Sequence, residues 1–482
     1  MSSWVTGEEP VLGTGIEALT PERRRLAFAC VLLAFVLDLV DTTIVNTALP
    51  AIQANLHAGA PATQWVVTGY FLTFAVLLVA GGRLGDLYGY RRLFLIGVFG
   101  FTLSSVACGS SETPFALVLC RAVQGASAAM MAPQVIALIQ LMYSPLERVS
   151  RMAVFGLVGG LAAIAGPVLG GLLIQSDVGG LGWRLIFLIN GPIGLAALVA
   201  GWRLLPEGRS PHPLKLDPLG TLLLAAALLA LLVPLISGEA AGWPLRAVAL
   251  LASCVPLMAL FWRHSVARTR RFGSALIAPE LLRIRSFALG LSMTLLFSAA
   301  TTGLLLALSM TLQRGLHYSP LQVALLHMPF GFGVMAGVAA IGPRALPRLG
   351  RLLPAGGALA MAAGTGALAV AILQTAPAPL PLAGALFVAG IGMGCVTGPL
   401  GPITLARVDR GHAGVAGGMH NGVQQIGGAL GSACVGSLFF ASLRAGSATT
   451  AFAPTAVLIA LLLGGVSAVA MLLPRQVFAP ED

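Results

Sequence analysis

Charge is scarce in this chain: Asp, Glu, Lys and Arg together make up 9% of its 482 residues, against about a quarter in soluble domains. Lysine is almost missing. Lys215 is the only one, and no glycine-rich loop leads into it, which excludes a phosphate-cradling P-loop and ATP drive. The six cysteines (Cys30, Cys108, Cys120, Cys254, Cys395, Cys434) sit inside apolar runs without metal-ligand spacing, so they read as small buried hydrophobes, neither disulfides nor a metal site. With no nucleophile beside a base and no soluble domain to hold one, the chain is not expected to be an enzyme or to need a cofactor. The net charge of +11 is spread over short segments, which argues against a nucleic-acid patch. Nor do segments of about ten residues alternate apolar and polar, as a membrane β-barrel would require.

What remains is apolar. Hydrophobic residues are 57% of the chain and mean hydropathy is +0.91, in recurring runs near the roughly 20 residues that a helix needs to cross hydrocarbon. The expected fold is all-α and polytopic, with about 14 transmembrane helices. They fall near 26–50, 64–82, 93–111, 114–142, 153–175, 184–205, 218–237, 245–262, 287–312, 321–342, 354–374, 380–405, 414–442 and 452–473. The polar start carries Glu8, Glu9, Glu17 and Glu22 and lacks the basic, short-cored form of a cleaved signal peptide, so helix 1 is expected to be retained.

Basic residues stay on the cytoplasmic side of short loops. With both termini cytoplasmic, every Lys and Arg falls in an inner segment except Arg121, Arg184, Arg246, Arg314 and Arg444; one helix more or fewer would destroy this bias. A weak repeat at an offset of about 261 residues aligns Leu26 with Phe287 and Gly89 with Gly350. The expected organisation is therefore a tail at 1–22, a six-helix half at 23–205, two inserted helices with a basic linker at 206–286, a second six-helix half at 287–474 and a tail at 475–482. The linker from Arg263 to Ser286 reads as an interfacial segment on an anionic leaflet.

Asp38 and Asp41 in helix 1 are the carboxylates placed within hydrocarbon. A charge there costs at least about 2.5 to 3.5 kcal/mol on insertion scales, so such residues usually line a wet, working site. A spacing of three puts both on one helical face, where they can share a proton. Arg121 in helix 4 is the matching cation. At about 1.5 Å per residue, Asp41 lies about 14 Å from the outer end of its helix at Pro50, and Arg121 about 10 Å from Pro114. An arginine side chain spans that difference. The segment Gly82-Arg83-Leu84-Gly85-Asp86-Leu87-Tyr88-Gly89-Tyr90-Arg91-Arg92 reads as a tight cytoplasmic loop, with Asp86 able to act as a latch between the halves. Gly166, Pro167, Gly170 and Gly171 in helix 5 allow close helix contact and a bend.

Together these motifs resemble the major facilitator superfamily, and within it the fourteen-helix drug:proton antiporter family. Leu39–Pro50 is similar to that family's helix 1 signature, Gly82–Arg92 to the superfamily's cytoplasmic loop motif, Arg121-Ala122-Val123-Gln124-Gly125 to its helix 4 proton-coupling motif and Gly166–Gly171 to its helix 5 antiporter motif. His317–Leu321 and Gln425–Gly431 are also similar to family segments, so the resemblance covers nearly the whole chain. Leu87 and Tyr90 depart from the loop motif's usual basic residues, and Ala162 replaces a glycine. The repeat offset puts Thr302 opposite Asp41 and Leu382 opposite Arg121, which places coupling chemistry in the first half.

The resemblance implies a proton-coupled exporter of amphipathic antibiotics or drugs, working by alternating access as a monomer in the cytoplasmic membrane. Its partners would be a small-molecule substrate, protons and the lipid bilayer. A dedicated exporter of one natural product and a non-transporting receptor or scaffold are the competing readings. Asn46, Gln124, His327, His420, Asn421, Gln424 and Gln425 are candidate cavity residues, each equally explained by packing or helix bridging. With two membrane carboxylates, both in the first half, transport is expected to favour neutral or monocationic compounds. Uptake of matched monocations and dications into vesicles checks this, and a strong preference for dications would contradict it.

Overall fold

A computed structural model describes residues 20–210, 215–238, 241–374, 378–409 and 412–474. Most of the expected first tail (1–19), all of the last (475–482) and the inner arginines Arg410 and Arg475 lie outside the described residues. The described chain is helical throughout: α1 Pro21–Asn55, α2 Ala60–Tyr88, α3 Tyr90–Gly109, α4 Pro114–Met142, α5 Pro145–Ser176, α6 Gly182–Leu204, α7 Pro218–Ser237, α8 Leu245–Phe272, α9 Arg285–Gly315, α10 Pro320–Ile341, α11 Leu352–Ile372, α12 Pro379–Leu405, α13 Ala413–Ala445 and α14 Ala448–Met471. Thirteen of these are long and apolar enough to cross a membrane, and α5 adds a 32-residue helix between the fourth and sixth.

Local chemistry sets many of the starts. A hydroxyl or carboxylate followed by proline opens α1 (Thr20-Pro21), α4 (Thr113-Pro114), α5 (Ser144-Pro145), α7 (Asp217-Pro218) and α10 (Ser319-Pro320). The side chain accepts from an otherwise orphaned helix N–H, while proline needs no partner at the first position. Ser144 with Glu147 and Ser319 with Gln322 complete reciprocal capping boxes.

Packing repeats at an interval of eight helices. Within the first six, α2 packs on α4, α3 on α4, α1 on α5, α3 on α6 and α1 on α6; each contact recurs as α10 on α12, α11 on α12, α9 on α13, α11 on α14 and α9 on α14. Glycines let the backbones meet, as small residues do where lipid removes the hydrophobic drive for association. A Cβ at Gly81 would lie 2.2 Å from the Ala129 carbonyl oxygen, and one at Gly431 would lie 2.2 Å from that of Ala299. The first and last six helices meet through α2 with α13 and α5 with α10. Their hydrogen bonds gather at the end opposite most of the arginines, where Gln313 Nε2 donates to the Thr47 carbonyl (2.8 Å) and Ser437 Oγ to Gln64 Oε1 (3.2 Å).

The segment expected as a cytoplasmic loop is not one. α2 continues through Tyr88 and α3 starts at Tyr90, leaving Gly89 alone as the hinge, at φ +101°, where side chains are strained. Gly82 faces Pro133 and Gly85 faces Gln134, so these glycines serve helix contact. α8 likewise exceeds its expected end, running ten residues past 262 to Phe272.

The inserted helices α7 and α8 pair with each other, and α7 also lies against α2 and α13. Their basic end is stapled by Asp217. Its buried carboxylate accepts from Gly220 N (3.0 Å) and Leu276 N (3.0 Å), meets His264 Nε2 at 2.9 Å and lies 3.5 Å from Arg268 Nε. Burial pushes the Asp217 carboxyl up, but these partners outweigh it and hold it below the ordinary carboxylate range. Arg83 of α2 donates to the carbonyls of Lys215 (2.9 Å) and Ala275, joining the pair to the first group.

The close approaches predict a matched contrast. Gly81→Ala forces a Cβ into the Ala129 backbone and is expected to cost about 1–3 kcal/mol, whereas Gly366→Ala, with nothing within 4 Å, is expected to leave stability unchanged. Thermal unfolding of both purified variants in detergent checks this; equal melting temperatures would contradict it.

Candidate functional site

An ion pair deep in the first group organises the site. Asp41 is 0% exposed and Arg121 2%. Arg121 Nη1 donates to Asp41 Oδ2 at 2.5 Å and to Gln124 Oε1 at 2.7 Å, and Arg121 Nε donates to the Val66 carbonyl at 3.1 Å. Asp41 Oδ1 accepts from Gln124 Nε2 (2.8 Å) and from Asn190 Nδ2 (3.0 Å). Asn190 also donates to Ser105 Oγ (2.9 Å), and Cys108 Sγ to Gln124 Oε1 (3.8 Å). Three helices, α1, α4 and α6, thus meet at one carboxylate, and α2 and α3 hold its partners. Such saturation is what a charge needs where water cannot supply partners.

Asp38, one turn away, is half-buried and has a different partner. The Tyr70 hydroxyl donates to its Oδ1, while the Tyr70 ring lies 4.4 Å from the Arg121 guanidinium carbon, within cation–π range. Helix 1 therefore presents its two carboxylates to separate groups, and Tyr70 touches both arrangements.

The expected site residues fall into distinct places. Gln124, expected in a cavity, is 0% exposed and belongs to the ion-pair network. Asn46 is buried and donates to the Thr42 carbonyl (3.2 Å), and its Oδ1 has no hydrogen-bond partner. His327 is buried and sits 2.7 Å from the Val323 carbonyl of its own helix, which is a packing role. His420 lies 3.3 Å from Thr294 Oγ1 of α9. On α13, Gly427 and Gly431 press on α9, while Gly428 and Gly436 press on α2. Asn421 and Gln424 are exposed and Gln425 half-exposed; Gln424 falls between the two rows, and Asn421 and Gln425 lie on the side that faces α2.

The helix 5 motif reaches the site by packing. A Cβ at Gly166 would meet Thr43 Oγ1 at 1.9 Å, one at Gly170 would meet Ile44, and one at Gly171 would meet Ala324 and the Pro320 carbonyl. α5 is therefore wedged between the Asp41 segment of α1 and the start of α10, with Pro167 inside its continuous span. At the α2–α3 hinge, Asp86 accepts from the Tyr90 hydroxyl (3.0 Å), and Arg91 pairs with Glu207 (3.3 Å) and donates to the Trp202 carbonyl. Arg92 is exposed. These bonds lie within the first group, not across to the second.

Sequence reasoning missed Tyr70, Asn190, Ser105 and Arg83. Asn190 was the most accessible of them, as a lone amide in the apolar run Leu185–Leu198. Tyr70 and Ser105 carried no signal beyond ordinary membrane-helix composition.

Residues 31–432 match the sequence profile described as the Major Facilitator Superfamily. The chain is 39% identical to the probable actinorhodin transporter of Streptomyces coelicolor, over 89% of this chain and 74% of that protein. It is 37% identical to the puromycin resistance protein pur8 of Streptomyces alboniger, over 86% and 82%. Among solved structures, a bacterial homolog of the human lysosomal transporter Spinster, in an inward-facing and unoccupied conformation, superposes with a TM-score of 0.65 at 18% identity, covering 94% of this chain and 97% of that one.

The buried pair sets a stability test. Arg121→Met strands the Asp41 carboxylate and is expected to cost about 3–5 kcal/mol. Adding Asp41→Asn removes the stranded charge and should recover most of that loss. Denaturation of the single and double variants checks it, since simple additivity of the two single losses would contradict a coupled pair.

Proposed function

The chain belongs to the major facilitator superfamily, and from that premise we propose that it is a proton-coupled exporter of amphipathic organic compounds, antibiotics or drugs among them. The observation that carries the proposal is the fully buried Asp41–Arg121 pair. A buried ion pair is poor value as a stabiliser, because desolvation offsets its attraction, and intramembrane charges are by default working parts.

With the basic end on the cytoplasmic side, as the distribution of arginine favours, both termini lie inside and the contacts between the two groups of helices close the outer end. The conformation is then inward-facing. In the outward-facing state, a proton taken up by Asp38 or Asp41 removes a negative charge beside Arg121. That weakens the hold on Arg121 and lowers affinity for a polar or monocationic substrate, which leaves. Return inward releases the proton, so one gradient drives export. Asn421, Gln424 and Gln425, together with the free acceptor on Asn46, would orient cargo by hydrogen bonds. The glycine contacts of α5 with α1 and α10 would let the groups slide without losing packing. Support for efflux comes from the two relatives, one named as a probable actinorhodin transporter and the other as a puromycin resistance protein.

These names also favour a narrower second reading, a dedicated exporter of one natural product. A drug-susceptibility panel separates the two, since broad protection supports the first and protection against a single compound class the second. For the coupling itself, the test is dye efflux from vesicles with and without a proton gradient. Gradient-driven efflux is expected in the natural chain and its loss in Asp41→Asn; gradient-driven efflux that survives in this variant sinks the proton role.

A further inference from the structure

The basic end of α8 carries a second concentration of charge, away from the ion pair. α8 has 28 residues, about 42 Å of helix, whereas the hydrocarbon layer takes up about 20 residues. Counted from Leu245, the turns beyond His264 therefore stand at headgroup level. Little of the apolar span of α8 is buried against protein, so lipid surrounds it. Trp262 and Phe272, 41% and 51% exposed, flank the emerging turns as interfacial aromatics do.

The cations there divide into two sets. His264 and Arg268 turn inward to Asp217, and Arg83 is spent on the carbonyls of Lys215 and Ala275. Lys215, Arg263, Arg270 and Arg271 are exposed. Among the described residues, Asp217 is the only carboxylate in ion-pair contact with any of these side chains. Two of the outer set also meet Arg268 of the inner set at one ring. Lys215 Nζ lies 5.8 Å, the Arg268 guanidinium 5.3 Å and the Arg271 guanidinium 5.9 Å from the centre of the Phe272 ring. Three cations around one exposed aromatic ring at headgroup depth, of which only Arg268 meets a carboxylate, leave a surplus of positive charge that a phosphate complements.

We propose that Lys215 and Arg271, gathered around Phe272, bind the phosphate of an anionic phospholipid headgroup, and that this lipid fastens the α7–α8 pair to α2. The fastening follows from connectivity. Lys215 presents its side chain to the headgroup and its carbonyl to Arg83 of α2. Arg268 lies beside the same ring and donates to the Leu216 carbonyl at 2.6 Å. A bound headgroup draws these chains together at the point where the inserted pair meets the first six helices. The assignment is independent of proton coupling and of cargo.

The purified full-length chain, in nanodiscs of phosphatidylcholine with or without phosphatidylglycerol, provides the test by retained-lipid mass spectrometry and melting temperature. Phosphatidylglycerol is expected to be retained over phosphatidylcholine and to raise the melting temperature. At about 1 kcal/mol per basic residue near the surface, Lys215→Gln with Arg271→Gln should weaken its retention about thirtyfold. Arg246→Gln with Arg314→Gln, an equal loss of charge at the opposite end, should leave retention unchanged. Undiminished phosphatidylglycerol retention in the double variant overturns the site. Equal stabilisation of detergent-solubilised protein by inorganic phosphate overturns the assignment to lipid.

Discussion

A charge surrounded by hydrocarbon must find every partner within the protein, and that constraint, concentrated on Asp41, orders the first six helices. The carboxylate is neutralised by Arg121 and accepts from Gln124 and Asn190, while Arg121 is held by the Val66 carbonyl and covered by the Tyr70 ring. α1, α2, α4 and α6 must therefore keep one mutual register, and α3 joins through Ser105. All five therefore depend, directly or through one partner, on the ionisation of this centre, which is why the proposed proton coupling is assigned to it.

The last six helices repeat the packing with other residues at the positions of the ion pair. Thr302 stands opposite Asp41 and Leu382 opposite Arg121, and Leu382 is fully buried as an ordinary hydrophobe. There, backbone contacts such as Gly390 on the Phe330 carbonyl and Gly431 on that of Ala299 do the joining. Both groups are close-packed through glycines, and the first adds the polar saturation around Asp41. The two meet along α2–α13 and α5–α10, where glycines keep the surfaces smooth. α7 touches both groups, held to α2 at its basic end through Arg83 and to α13 at the other by Ser437 Oγ donating to the Leu235 carbonyl (2.6 Å).

Legibility followed rarity. Asp41 and Arg121 stood out because charges inside apolar runs are few, and simple helix rise put them at compatible depths. Gln124 was noticed with two readings open, cavity contact and helix bridging, because an amide in a membrane helix reads the same whether it faces cargo or a neighbouring ion pair. Tyr70 and Asn190 were missed for a related reason, as their roles depend on partners about 30 and 150 residues away in sequence. The Gly82–Arg92 segment looked like a loop because glycine and charge together signal a turn. Packing against Pro133 and Gln134 instead makes Gly82 and Gly85 points of helix contact, and only Gly89 turns the chain.

The sequence by itself determined the membrane, the number of helices, their repeat and the chemistry available within them. Hydropathy, helix length and the cost of buried charge act locally and can be summed along a chain. Only the tertiary structure decided which donors close around Asp41, that Asp38 answers to Tyr70, that α5 wedges between α1 and α10, and that the cations of α8 divide between Asp217 and the surface. Those outcomes depend on the rotation of each helix about its axis, which close backbone contacts between distant segments fix and no single segment encodes.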